Sequence, residues 1–160
     1  MIEVNYDLGE YEEYITQDTL DNIQKVCDKI LESENIKGNF EVSLSFVNDE
    51  EIRELNNEYR QIDAKTDVLS FPLIEIEEFN DLKEHEPMIP VLLGDIIISL
   101  PTALEQSKEY NHSLNREISF LTCHSMFHLL GYDHIEESEA EAMELKQEEI
   151  LSQLGITRLD

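Results

Sequence analysis

A chain of 160 residues has the length of one domain, and 41% hydrophobic with 30% charged residues is an ordinary composition for a soluble globular protein. This composition excludes a fibrous or wholly disordered chain, so we predict one domain over residues 1–160. The 37 acidic residues outnumber the 11 basic ones, and the resulting net charge of −26 counts against a surface that binds polyanions over most of its area.

The sequence predicts a cytoplasmic protein with no membrane partner. No stretch approaches the ~20 apolar residues that a membrane span needs, and the first residues lack the basic start and apolar run of a signal peptide. Cys27 and Cys123 lie far apart, and we expect two reduced, buried thiols. Arg53, Arg60 and Lys65 lie in one short stretch, where a local positive patch could form on the acidic body.

The first quarter of the sequence predicts an edge strand followed by a helix. Residues 2–6 alternate apolar and polar side chains, as a strand with one buried face does. Thr16 or Asp18 can cap a helix whose apolar residues recur at helical spacing from 20 to 31. Gly38 ends this region.

Residues 40–59 are predicted to repeat this order of strand and helix. Residues 40–47 alternate apolar and polar side chains, which predicts a second strand with one buried face. Asn48 or Asp49 can cap a second helix, whose apolar positions run from residue 52 to residue 59. The first part of the chain is therefore predicted to run β-α-β-α.

Two further stretches are candidate core strands. Residues 66–71 are rich in residues that suit strands and are stopped by Pro72, while residues 92–100 are almost wholly apolar, with an irregularity at Gly94. Residues 75–90 lie between these strands, are acidic and are bracketed by prolines. We predict that they form a mobile, solvated loop.

The last third of the sequence predicts three helices. Pro101 suits the start of one helix, and Ser113 can cap another over residues 114–130, which Gly131 stops. A final amphipathic helix is predicted from 136 to 154. The residues expected to pack this last helix are Ala140, Met143, Leu145, Ile150 and Leu154.

Three of the five histidines, His124, His128 and His134, lie within eleven residues. Residues four apart on a helix share a face with Cβ atoms ~5–6 Å apart, so His124 and His128 can direct nitrogens to one ion ~2.0–2.1 Å away. Gly131 can turn the chain so that His134 returns to the same point. Three protein nitrogens leave one tetrahedral position to water, as in catalytic zinc sites. We therefore predict that these histidines bind one Zn²⁺ ion per chain.

The spacing H-x-x-x-H-x-x-G-x-x-H is also that of the metzincin proteases, which need a glutamate after the first histidine as general base. Ser125 stands at that position, and its hydroxyl does not accept a proton at neutral pH as a carboxylate does. A metzincin-like metalloprotease is therefore a less favoured alternative. His85 and His112 are expected to take no part in the metal site.

Three blocks of the sequence carry further motifs. Residues 131–134 read Gly-Tyr-Asp-His, residues 56–72 contain Tyr-Arg and then Thr-Asp-Val-Leu-Ser-Phe-Pro, and residues 93–96 read Leu-Gly-Asp-Ile. These blocks resemble the YbeY family of bacterial ribosomal-RNA maturation endoribonucleases, and Gly-Tyr-Asp-His matches the end of that family's histidine triad. Together the blocks extend over the chain from about residue 50 to residue 135.

The resemblance implies an α+β fold: a small mixed four-stranded sheet with about five helices, the zinc-binding helix being packed on the sheet. It also implies a zinc-dependent endoribonuclease for single-stranded RNA, not DNA, that matures the small-subunit end of ribosomal RNA and serves ribosome quality control. The implied partners are the small ribosomal subunit or a ribosomal protein. His124, His128 and His134 carry over as metal ligands, and Arg60 as the catalytic arginine.

Two residues depart from the family pattern. Ser125 stands where the family has glycine, beside the metal, where it could crowd the substrate or donate a hydrogen bond. Lys65 stands where proline is common. Neither departure removes a ligand.

The predicted chemistry leaves the general base unassigned. Zinc would hold water beside the scissile phosphate, and the planar guanidinium of Arg60 would steady the developing charge; the other interpretation of Arg60 is a surface ion pair. Asp133 could orient His134 or cap the turn. Glu117 lies about two helical turns before His124 and is expected to pair locally or face solvent rather than take a proton.

A non-enzymatic ribosome-assembly module with a structural zinc is the competing class. Cys123 would be the fourth ligand of such a closed site, but on a helix it points about 100° away from His124, which disfavours closure. The acidic surface also predicts weak binding to free RNA, so delivery by a positively charged partner is expected.

Overall fold

The computed structural model describes residues 1–132 and 137–156 of the chain. The strands are β1 (Ile2–Asp7), β2 (Phe40–Val47), β3 (Val68–Pro72) and β4 (Val91–Ser99). The helices are α1 (Gln17–Ser33), α2 (Asp49–Arg60), α3 (Ile76–Glu84), α4 (Leu100–Glu109), α5 (Leu114–Leu129) and α6 (Glu137–Gln153), with a short 3₁₀ turn at Glu12–Tyr14.

The strands form one mixed sheet in the order β1-β2-β4-β3. β1, β2 and β4 run parallel, while β3 runs antiparallel to β4 at the edge of the sheet. Because helices cover a small mixed sheet, the fold is α+β, as the resemblance implied. Six helices are described instead of about five, and the additional one is α3.

Helices α1 and α2 begin at polar caps, which resolves two alternatives that the sequence left open. The Thr16 hydroxyl accepts a hydrogen bond from the Thr19 amide at 3.3 Å, and the Asn48 side chain accepts one from the Glu51 amide at 2.8 Å. Each cap satisfies a backbone amide that has no partner within its own helix.

The prediction of a mobile loop over residues 75–90 is wrong for α3, which occupies the middle of that stretch. Phe79 is 3% exposed, and Leu82, three positions further along, packs against the core. Two apolar side chains at helical spacing form one buried stripe, which outweighs the acidic composition of the segment. The acidic residues of α3 occupy its solvent side, including Glu77 and Glu78.

Gly94 is the irregular point of β4 and sets how closely α5 approaches the sheet. The register between β2 and β4 shifts here, so Leu93 is an extra residue in β4. A Cβ on Gly94 would lie 2.4 Å from the carbonyl oxygen of Phe71 and 2.8 Å from Cδ2 of Leu129, and its φ of +154° strains other residues. Only glycine lets β3, β4 and α5 meet this closely.

Helix α5 lies across β3 and β4 and is flanked by α1, α4 and α6. The predicted packing of the histidine-bearing helix on the sheet is therefore confirmed. Helix α6 packs on α5 and α1 through Met143, Gln147, Ile150 and Leu151. Leu145 was expected among these residues, but its position is about 200° around the helix from Met143, and it is 67% exposed. Within the described ranges, no helix is long and apolar enough to cross a membrane.

Candidate active site

His124 and His128 lie one helical turn apart on α5, with their Nε2 atoms 3.0 Å apart. Two nitrogens bound to one tetrahedral zinc ion at ~2.0–2.1 Å would be separated by roughly 3.4 Å. The two rings therefore converge nearly as a shared metal requires. Of the three predicted ligands, these two are brought together by the structure, whereas His134, like Asp133, lies outside the described residues.

The hydrogen bond that Nδ1 of His128 makes leaves Nε2 as the nitrogen that can bind a metal. Nδ1 lies 2.9 Å from the backbone carbonyl oxygen of Tyr132, just beyond the helix end. A carbonyl oxygen only accepts hydrogen bonds, so Nδ1 carries the proton. The neutral ring then presents the lone pair of Nε2 to the shared point with His124.

The ring of His124 is held by a side chain from a different helix. Its Nδ1 lies 3.0 Å from the terminal amide of Gln147 on α6, which is only 3% exposed. The amide nitrogen of Gln147 is the atom that faces Nδ1, and a 180° rotation of this amide would present its oxygen, which accepts the Nδ1 proton and leaves Nε2 of His124 available as a ligand. Nδ1 of each ring is thus anchored away from the point that the two Nε2 atoms share.

A charged group ties α6 to the turn after α5. Nζ of Lys146 donates to the Tyr132 hydroxyl at 2.7 Å and to the Glu34 carboxylate at 3.3 Å. The same ammonium lies 4.9 Å from the centre of the Tyr132 ring. These contacts give Tyr132 a structural role, and they place Gln147 beside His124.

A cleft of about 920 Å³ brings Arg60 to the same side of the molecule as His124 and His128. Arg60 is the last residue of α2 and is exposed. β3 forms one wall of this cleft, and Gly131 and Tyr132 also line it. The structure thus assembles a guanidinium and two imidazoles around one opening that is large enough for an extended ligand.

The local positive patch that Arg53, Arg60 and Lys65 could have formed is not found among these described residues, because Arg53 and Lys65 are paired with carboxylates. Arg53 forms an ion pair with Asp63 at 2.8 Å, and Lys65 lies 3.4 Å from Asp49. In the part of the chain that the structure describes, no carboxylate forms an ion pair with Arg60. The surface ion pair that was the alternative interpretation of Arg60 is therefore not found there.

Ser125 faces the sheet and not the cleft. Its side chain is fully buried, and its hydroxyl accepts a hydrogen bond from the Ser70 hydroxyl of β3 at 2.8 Å. The expectation that Ser125 could crowd the substrate is therefore wrong. A helix position one residue after His124 points about 100° away from it, which directs this serine into the packed interface.

Cys123 is buried in the hydrophobic core on the other side of His124. Burial raises the pKa of this thiol to about 12. A closed site with Cys123 as its fourth ligand is not supported. Cys27 is likewise a free, buried thiol, as expected.

Glu117 pairs locally, as expected, and does not face the cleft. Its carboxylate lies 2.5 Å from Nε2 of His112, and both side chains are nearly buried. Burial raises the pKa of Glu117, and the neighbouring His112 opposes that shift. His112 is thus satisfied by this carboxylate, while His85 is an exposed residue at the end of α3.

The residue that sequence reasoning missed is Gln147. It occupies a buried position of α6 between Met143 and Ile150, where the helical pattern calls for an apolar side chain. A polar residue in an apolar stripe needs a buried hydrogen-bond partner. This polar residue in an apolar stripe is the feature of the sequence from which a buried role of Gln147 could have been predicted. The sequence alone does not identify His124 as its partner.

Comparison with known proteins gives consistent matches over most of the chain. The model of the family described as Endoribonuclease YbeY matches residues 6–155. Endoribonuclease YbeY of Clostridioides difficile (strain 630) is 50% identical over 144 residues, which cover 90% of this chain and 91% of that protein. The protein of the same name from Halalkalibacterium halodurans is 52% identical over 122 residues, covering 76% and 77%.

Similarity also extends to a solved structure. The solution structure of TM1509 from Thermotoga maritima superimposes with a TM-score of 0.59 at 25% sequence identity. The match covers 100% of this chain and 96% of that chain. The architecture described above therefore occurs in a protein whose sequence is only distantly similar.

Proposed function

The chain belongs to the YbeY family, and we propose that it is a zinc-dependent endoribonuclease that cleaves single-stranded RNA. The observation that carries this proposal is the meeting of His124, His128 and Arg60 at one cleft. Curated relatives at about 50% identity are named endoribonucleases, which supports RNA hydrolysis as the reaction class.

His124 and His128 would hold the zinc ion through Nε2, with His134 as the expected third ligand. Zinc bound there would supply Lewis-acid chemistry, polarising a phosphodiester oxygen and making water a stronger acid. The protein's own contribution is orientation: the Tyr132 carbonyl and the Gln147 amide hold the distal ring nitrogens, so the two imidazoles do not need to reorganise.

Arg60 would bind the phosphate that reacts. Its guanidinium donates several hydrogen bonds in a planar fork that matches two phosphate oxygens, and it has no ion-pair partner in the described part of the chain. Hydrolysis forms a bond from water oxygen to phosphorus and breaks the bond from phosphorus to a ribose oxygen, which receives a proton. Negative charge on the phosphate oxygens grows in the transition state, where Arg60 stabilises it.

Ribosomal RNA in the cytoplasm is the substrate that we propose, with small-subunit end maturation and ribosome quality control as the setting. A net charge of −26 makes binding to free RNA weak and salt-dependent. A small-subunit protein with a basic surface would therefore help to deliver the RNA to the cleft.

Two other functions compete with this proposal. A non-enzymatic zinc module needs a closed metal site, and the burial of Cys123 disfavours its most obvious fourth ligand. A metzincin-like protease needs a carboxylate next to His124, and Ser125 is instead buried against Ser70. Neither alternative accounts for the exposed Arg60 at the cleft.

The decisive experiment is cleavage of an unstructured RNA by the zinc-loaded protein and by the same protein after chelation. We expect cleavage that is lost with the chelator and restored by zinc. Zinc content is measured separately in wild type and in the His124→Ala/His128→Ala double variant, where we expect little metal. Equal zinc in both would refute the metal site, and absent cleavage with normal zinc content would refute the nuclease alone.

A further inference from the structure

β3 is an edge strand whose second side faces the cleft. Among the described residues it pairs only with β4, and Val68, Leu69, Ser70 and Pro72 all line the cleft beside the two histidines. An edge strand presents backbone N–H and C=O groups that its own sheet does not use. The direction of those groups therefore decides what the cleft can bind.

The hydrogen bonds to β4 show which backbone groups point outward. The Ser99 amide donates to the Asp67 carbonyl at 2.9 Å, and the Leu73 amide donates to the Leu93 carbonyl at 3.0 Å. Antiparallel pairs alternate between hydrogen-bonded and non-hydrogen-bonded positions. Positions 67, 69, 71 and 73 therefore face β4, whereas the backbone groups of positions 68, 70 and 72 face away from it.

Two N–H groups are thus presented at the cleft, those of Val68 and Ser70. Pro72 occupies the third outward position and has no N–H. The carbonyl oxygens of all three residues remain as acceptors. An extended peptide would need a continuous ladder of donors here, and Pro72 interrupts it.

The side chains that line the cleft are mostly acidic among its charged residues. A polyanionic ligand is therefore better held there by uncharged hydrogen-bond donors. Asp67, Glu75 and Glu77 line the cleft, and Arg60 is the only lysine or arginine among its described lining residues. Electrostatic attraction to phosphates is therefore weak along this wall. Backbone N–H groups bind oxygen acceptors without adding charge, so they suit a strand of RNA that crosses an acidic surface.

We propose that the outer edge of β3 is the binding track for the RNA strand, with the N–H groups of Val68 and Ser70 donating to oxygen acceptors of the nucleotides. The inference rests on the proposed function and adds the residues that hold the substrate beside the histidines. Single-stranded RNA suits this track, because its unpaired bases and ribose hydroxyls are open to backbone hydrogen bonds.

The test compares Val68→Pro with Val68→Ala in the zinc-loaded full chain. Both variants lose the valine side chain, but only the proline variant also loses the outward N–H. Proline is compatible with this register, since Pro72 already occupies the equivalent outward position. We expect KM for an unstructured RNA to be about 5–10-fold higher in Val68→Pro than in Val68→Ala, with similar kcat. Circular dichroism and thermal unfolding check that both variants fold.

A second measurement needs no variant. Hydrogen exchange of backbone amides is followed by NMR in the wild-type protein with excess unstructured RNA. We expect the Val68 and Ser70 amides to become protected, while the already bonded Leu69 and Phe71 amides change little. This experiment decides the proposal if Val68→Pro does not fold.

The outcomes separate the inference from the proposed function. RNA cleavage by wild type, with equal KM in the two variants and no new amide protection, would overturn the β3 track and leave the nuclease intact. Protection by an extended peptide but not by RNA would overturn it as well. Absence of any zinc-dependent cleavage would remove the proposed function, and the track would fall with it.

Discussion

The terminal amide of Gln147 lies 3.0 Å from Nδ1 of His124, although the two residues are 23 positions apart and belong to different helices. This contact makes the orientation of a histidine on α5 depend on the packing of α6. Lys146 reinforces that packing, since it bonds to Tyr132 and Glu34. The metal site is therefore a tertiary structure and not a property of one helix.

Gln147→Leu should weaken zinc binding about 10-fold or more, because it removes the amide that holds the His124 ring. Gln147→Glu replaces this amide with a carboxylate acceptor of the same length and should retain or increase the affinity. Zinc affinity is measured by competition with a coloured chelator. Nitrogen NMR of the metal-free protein reports independently whether Nδ1 of His124 carries the proton. Equal affinity in all three proteins would contradict this role.

Arg60→Ala should lower kcat for RNA by about 100-fold or more with unchanged zinc content, because the guanidinium stabilises charge that develops in the transition state. Arg60→Lys should recover only part of the rate, since an ammonium lacks the planar fork. Arg53→Ala is the matched control, as this arginine is in the same helix but is paired with Asp63. A similar loss of rate in the control would show that general positive charge, and not Arg60, matters.

Gly94→Ala should destabilise the fold by about 2–4 kcal/mol, since the new methyl group meets a carbonyl oxygen and a side chain of α5. Gly155→Ala is the control: its φ of +74° is also strained, but no atom of the described residues lies within 4 Å of the added carbon. That variant should lose only about 1 kcal/mol. The free energy of unfolding in urea measures both, and equal losses would show that the close approach of α5 is unimportant.

Protonation of the Asp49 carboxylate at acid pH should lower the free energy of unfolding. Burial raises its pKa, but hydrogen bonds from Ser99 and Thr102, at 2.6 and 2.5 Å, and the charge of Lys65 outweigh this, so the net pKa lies below the usual value. A lowered pKa in the folded state means that the stabilisation is complete above about pH 4 and is lost as pH falls through the folded pKa.

Urea unfolding of wild type and Asp49→Asn from pH 6 to pH 2 tests this linkage. At pH 6 the variant should be less stable by about 1 kcal/mol, a figure that allows for solvent screening of a side chain that is 35% exposed. The difference should vanish at low pH, where the protonated carboxyl of wild type resembles the asparagine amide. Glu54→Gln, at an exposed position of α2, should show no such pH-dependent difference; a constant difference for Asp49→Asn would contradict the linkage.

The local patterns of the sequence predicted most of the elements. Alternation predicted β2, and helical spacing with a serine cap and a glycine stop predicted α5, because these signals depend only on neighbouring residues. The convergence of His124 and His128 followed in the same way from their spacing of four. The third ligand, His134, stays a prediction.

The parts that could not be predicted depend on residues that are distant in the sequence. Ser125 is buried because its face of α5 meets the sheet. The residues that line the cleft follow from the position of β3 at the edge of the sheet. Carboxylates of other segments form ion pairs with Arg53 and Lys65, whereas no carboxylate of the described residues does so with Arg60. None of these relationships has a period or a spacing that the sequence displays.

Pro72 has a consequence for the behaviour of the protein in concentrated solution. An open strand edge invites a second copy to pair with it, which leads to chains of molecules joined edge to edge. The missing N–H at Pro72 removes a donor that such self-association would need, and nearby acidic side chains make two copies repel each other at this wall. β3 can therefore stay uncovered for a ligand without becoming a site of self-assembly.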